Sequence, residues 1–115
     1  AKNMISAMMR EGVDPTCRAF AHRCMEKIPE QAYRAAVECI VTFEQRENLS
    51  RLYVPTMVLS GQYDKIATAD MMKKMASKIL NCKFSFIQEA GHLSYIEDPD
   101  GFNSALENFL LTVRA

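Results

Sequence analysis

Apolar residues in the first 43 positions recur at three- and four-residue intervals, the spacing of one face of an α-helix. Met4, Ile5, Met8 and Met9 predict a helix over residues 2–11, with Gly12 as its stop. Asp14-Pro15 predicts the start of a second helix: an Asp side chain accepts from the unpaired amides of a first turn, and Pro suits the first helical position. That helix runs from about Pro15 to Lys27, with Phe20, Cys24 and Met25 on its apolar side. Pro29 opens a third, whose broad apolar stripe is Tyr33, Ala36, Val37, Ile40, Val41 and Phe43.

The period changes after Asn48. Thr56–Ser60 is a short apolar run, too brief for a helix and ended by Gly61, and it predicts a buried strand. A helix from about Thr68 to Leu80 follows, with Met71, Met72, Met75, Ala76 and Ile79 inward and Lys73, Lys74 and Lys78 on a solvated face. Asn81 is its stop. Lys83–Ile87 alternates as a strand does, and Ala90-Gly-His-Leu93 forms a turn. Asp98-Pro99 then caps a last helix through Val113, with Phe102, Ala105, Leu106, Phe109 and Leu110 on one face. Strand, helix, strand, helix implies an α/β class with a parallel pair and a right-handed crossover. There are no repeats, and the shift near Asn48 is the one candidate boundary, dividing residues 1–48 from 49–115.

Composition narrows the function classes. At 115 residues, 49% hydrophobic and 24% charged, the chain suits a single globular domain. Fourteen basic residues against fourteen acidic ones leave no excess of Lys and Arg, so no nucleic-acid partner is expected. No apolar run approaches the roughly 18 residues that cross a bilayer, and the first residues lack the apolar region of a signal peptide. No membrane association and a cytoplasmic location are therefore expected. Cys17, Cys24, Cys39 and Cys82 form no Cys-x-x-Cys pair, and His22 and His92 lie far apart, so no metal site is predicted. The thiols are expected to act as small buried hydrophobes.

Working residues of a parallel sheet gather just past the carboxyl ends of its strands. Two ionisable residues fall there: Asp64 in Gly61-Gln-Tyr-Asp64, and His92 in Ala90-Gly-His92-Leu93. Both loops open on the same sheet edge, because parallel strands joined by one helix point the same way. A carboxylate beside an imidazole fixes its tautomer and stabilises the imidazolium formed when the ring takes a proton. Equally, an Asp in a Gly-x-x-Asp turn can serve only to bond nearby backbone. His22 reads as a surface or packing residue, and Asp14 and Asp98 as helix caps.

Residues 49–113 closely resemble the carboxyl-terminal end of the α/β-hydrolase fold. The resemblance rests on Val54-Pro-Thr-Met-Val-Leu-Ser-Gly-Gln-Tyr-Asp64, Met75-Ala-Ser-Lys-Ile79, Ala90-Gly-His-Leu-Ser-Tyr-Ile-Glu-Asp-Pro99 and Phe102-Asn103. Within that fold it is most similar to the branch of 3-oxoadipate enol-lactonases and related small esterases. It implies that Asp64 orients His92, and that residues 1–48 are a helical cap plus the passage back to the sheet. It also implies that the chain contributes the last two strands of the sheet to acyl transfer on a small ester or lactone, without metal or organic cofactor. Leu93 would then line the acyl pocket, and Phe20 and Met25 of the cap would shape it. Two departures alter loop stiffness more than chemistry: Ala67-Thr68-Ala69 and Gln88-Glu89 stand where the family often has proline.

The nucleophile of that fold sits on a Gly-x-Ser-x-Gly elbow. The glycines here are Gly12, Gly61, Gly91 and Gly101, no two of them four apart, so the elbow is absent from these residues. The same spacing excludes Gly-x-Gly-x-x-Gly and the phosphate-binding P-loop. The chain is expected to be a partial α/β-hydrolase carrying acid and base but no nucleophile, and to lack ordinary esterase turnover alone. Two strands make a small sheet with unpaired edges, which predicts a homodimer or intertwined assembly if 115 residues is the full length. The competing expectation is a non-catalytic binding or dimerisation module, with Asp64 and His92 as inherited loop residues.

Overall fold

The structure, a computed structural model, describes residues 2–114, with side chains from residue 4 onward. Three helices come first: α1 (Lys2–Met8), α2 (Pro15–Glu26) and α3 (Glu30–Thr42). A 3₁₀ helix (Arg46–Arg51) leads into β1 (Thr56–Gly61), α4 (Ala69–Ala76), β2 (Cys82–Ile87), the single turn α5 (Ser94–Glu97) and α6 (Pro99–Thr112). β1 and β2 pair in parallel from Thr56 opposite Cys82 to Gly61 opposite Ile87, and α4 makes the crossover.

Side-chain oxygens begin three of the helices. Asp14 accepts from Thr16 N–H at 2.7 Å, Thr68 from Met71 N–H at 3.4 Å, and Asp98 from Gly101 N–H at 3.0 Å. Gly12, at φ +73°, reverses the chain between α1 and α2. Buried side chains form two clusters. Ile5, Met9, Val13 and Ala21 join α1 to α2, and Cys17, Met25, Leu93 and Ile96 pack against them. Val58, Ala76 and Ile79 fasten α4 to the sheet, with Leu49, Met72, Met75, Cys82 and Phe84 around them.

Several expectations need correction. α4 stops at Ala76 rather than near Leu80, because Lys78 and Ile79 bond three residues back and tighten the turn before Asn81 at φ +54°. Met71 is exposed, not inward. On α2 the inward row is Cys17, Ala21 and Met25, four residues apart; Phe20 and Cys24, on a neighbouring row, are exposed. Both rows are apolar, so hydrophobicity alone does not choose between them. No cysteine is buried: all four are free thiols, with Cys17 and Cys82 half-buried and Cys24 and Cys39 exposed. The stripe on α3 exists but is uncovered, Ile40 and Val41 being 74% and 78% exposed. Its last two members lie at the margin of α3: Phe43, beyond the helix end, is exposed too. The radius of gyration, 15.6 Å, exceeds the roughly 13 Å of a compact chain this long. Among the described residues no helix is long and apolar enough to cross a membrane.

Candidate active site

The loops after β1 and β2 are laced together by backbone. Gln62 N–H donates to Ile87 O and Tyr63 N–H to Ala90 O, each at 2.9 Å, while Asp64 N–H closes back on Gly61 O at 3.2 Å. Gly61 makes this approach possible. A Cβ there would overlap the Gly91 carbonyl and lie 2.6 Å from Ala90 O.

Asp64 divides its carboxylate between two tasks. Oδ1 accepts from Ile66 N–H at 2.8 Å and Ala67 N–H at 3.0 Å, holding the carboxylate in its turn. Oδ2 lies 2.9 Å from His92 Nδ1. The Asp64 side chain is 7% exposed and that of His92 34%, so the carboxylate is sequestered while the ring reaches solvent. With Nδ1–H donating to the carboxylate, neutral His92 carries its lone pair on Nε2, the form that accepts a proton.

The His92 loop is also tied to the start of the chain. His92 N–H donates to Met8 O at 2.7 Å. Gly91 N–H donates to Glu97 Oε2 at 2.9 Å, and Arg10 N–H to Glu97 Oε1 at 2.7 Å. Arg10 Nε donates to Glu89 O at 2.6 Å. A Cβ on Gly91 would sit 2.9 Å from both Arg10 N and Met8 O, so this convergence admits only glycine.

Of the residues singled out from sequence, Asp64 and His92 are brought together. Leu93 and Met25 share the cluster around Ile5, and Met25 also lines a cavity of about 230 Å³ with Met4, Ile28, Glu30 and Tyr33. Phe20 stands apart, half exposed, with the Arg23 guanidinium 5.9 Å from its ring centroid. Glu97 and the Arg10 backbone were not foreseen as parts of the site. A carboxylate a few residues past the Gly-His turn was the available signal, but bonds to distant backbone leave no spacing to read. Elsewhere, hydrogen bonds from Arg46 lower the Glu44 carboxyl from 4.5 to about 2 in an exposed pair. Among the described residues no cluster of His, Cys, Asp and Glu is suited to a metal ion.

A family model described as the alpha/beta hydrolase fold matches residues 23–99. The 3-oxoadipate enol-lactonase 1 of Acinetobacter baylyi is 29% identical over 86 residues, covering 75% of this chain and 32% of that protein. Among solved structures, a thermophilic esterase from Thermogutta terrifontis superposes with a TM-score of 0.91 at 28% identity, over 99% of this chain and 43% of its own. The enol-lactonase from Burkholderia xenovorans LB400 gives 0.80 at 26% identity, over 84% of this chain and 37% of its own. The chain spans about a third of the length of the curated relatives it matches. The family match and the superposition over two parallel strands and their helices agree: the chain belongs to the α/β-hydrolase fold family.

Proposed function

We propose that Asp64 and His92 are the acid and base of an acyl-transfer site that hydrolyses a small ester or lactone. The observation that carries this reading is the 2.9 Å contact between Asp64 Oδ2 and His92 Nδ1, made by a sequestered carboxylate and a solvent-reaching ring. His92 Nε2 takes the proton of a nucleophile as it attacks the acyl carbon, then returns it to the leaving group; Asp64 holds the tautomer and stabilises the imidazolium. Residues 1–48 act as the helical cap and its return to the sheet, and residues 49–115 as the carboxyl-terminal part of the hydrolase core. Leu93 borders the substrate from the His92 loop, and Met25 from α2. This chemistry draws on no metal or organic cofactor. The esterase and enol-lactonases that the chain resembles support the substrate class.

The nucleophile lies outside these 115 residues, since their glycines leave no elbow. The test begins by reading the coding sequence in frame upstream of Ala1 for Gly-x-Ser-x-Gly. In the polypeptide carrying it, His92→Ala and Asp64→Asn each lower kcat/KM on a small activated ester by about 10³–10⁴-fold. Losses below tenfold for both would overturn the assignment. The 115-residue chain alone gives no burst of product. The uncovered stripe of α3 favours a second reading, a binding or dimerisation module; a start codon just before Ala1, with no activity to lose, would select it.

A further inference from the structure

Glu97 ends α5 and spends both carboxylate oxygens on main-chain donors, one from each side of a junction between distant segments. Oε2 takes Gly91 N–H, six residues back, and Oε1 takes Arg10 N–H, 87 residues back. We propose that Glu97 is a positioning residue whose carboxylate fastens the His92 loop to the segment after α1, keeping His92 in register with Asp64. The inference rests on the acid–base reading given above.

Three observations support it. First, Glu97 is itself held in place. Leu93 and Ile96, on the same turn, pack against Ile5, Met9, Val13 and Ala21, and Cys17 Sγ lies 3.5 Å from Ile96 O. Second, the loop is bracketed at consecutive residues: Gly91 N–H is taken by Glu97 and His92 N–H by Met8 O. A Cβ at position 91 would also come within 3.2 Å of Glu97 Oε2, so no side chain there could substitute for the clamp. Third, the chemistry requires an ionised carboxylate. Two facing N–H donors need two acceptors, and a glutamine offers one oxygen and one NH₂ that would oppose a donor. Losing one bond leaves a partly buried N–H unpaired, which loosens the loop on which the imidazole is mounted. Glu97 makes no contact with His92's ring or with Asp64 among the hydrogen bonds of the site, so it acts through the loop alone.

The test uses the ¹⁵N-labelled chain, comparing wild type with Glu97→Gln, Glu97→Asp and Asp64→Asn. In wild type the ¹⁵N shifts of His92 report an Nδ1–H ring with a slowly exchanging proton, and the Gly91 and Arg10 amides are protected. In Glu97→Gln, exchange at one or both amides rises by about tenfold or more, and the ring becomes a mixture of tautomers with the slow Nδ1 proton lost. Glu97→Asp, one methylene shorter, reaches one donor at a time and gives an intermediate ring signature; it decides the matter if Glu97→Gln does not fold. Faster amide exchange with an unchanged ring signature means a merely structural tie and overturns the proposal, as does unchanged exchange. A ring signature that survives Glu97→Gln but is lost in Asp64→Asn sinks the Glu97 inference alone. A wild-type ring without the Nδ1–H signature removes the acid–base reading and this inference with it.

Discussion

A carboxylate has two oxygens, and Asp64 divides them: one is consumed by the turn that carries it, the other faces His92. The alternatives of turn former and imidazole partner are therefore both true of one residue, on different atoms. Asp64 and His92 were legible because strand ends in a parallel pair collect such groups on one edge, a consequence of direction that needs no knowledge of distance. Glu97 was not, because its partners are main-chain amides, which carry no signature in sequence. Gly61 is the residue whose replacement separates loop packing from chemistry. Gly61→Ala forces a Cβ against the Ala90 and Gly91 carbonyls and should cost about 1–3 kcal/mol as overpacking. Urea titration followed by circular dichroism checks this; a midpoint equal to that of wild type would mean the two loops are not held in contact.

At the scale of elements, both strands and the helices of seven residues or more announced themselves, and the shortest helical turns did not. The 3₁₀ helix of Arg46–Arg51 and the single turn of Ser94–Glu97 are too brief for a hydrophobic period to form. The caps did better, since a side-chain acceptor followed by proline or by two free amides is a local arrangement. Asp98 is the clearest, accepting from Gly101 N–H with Pro99 in the first turn. Asp98→Ala should therefore destabilise α6 by about 1 kcal/mol, visible as a lower melting temperature with β1–β2 amide exchange unchanged. Equal loosening of the sheet and of α6 would argue that they unfold as one unit. The choice of inward row on α2 was beyond reach of the period, because Phe20 and Cys24 offer as much apolar surface as Cys17 and Met25. What decides it is the place of Leu93 and Ile96, some 70 residues later in the chain.

The whole molecule carries more uncovered apolar surface than its composition suggested. Ile40, Val41, Phe43, Tyr53 and Val54 are all at least 64% exposed, and each strand has one unpaired edge. Exposed apolar area of this kind drives association, so sedimentation of the 115-residue chain should show a dimer or larger species at micromolar concentration. Ile40→Glu with Val41→Glu should shift it toward monomer without loss of helical signal. A monomeric wild type with a sharp unfolding transition would count against self-association. Global content also explains why fold class was readable and shape was not: a pattern states which faces want covering, not whether a cover is present. The link between Arg10 and Glu97 has a further consequence, in time rather than space. A ribosome adds about 5–20 residues per second, so the 87 residues between them take roughly 4–17 s to synthesise. Through that interval α1 and α2 have no Leu93 or Ile96 to close their cluster. Of the described helices, the earliest made are thus among the last to be finished, and a nascent chain stalled before residue 93 would offer them to chaperones rather than to a fold.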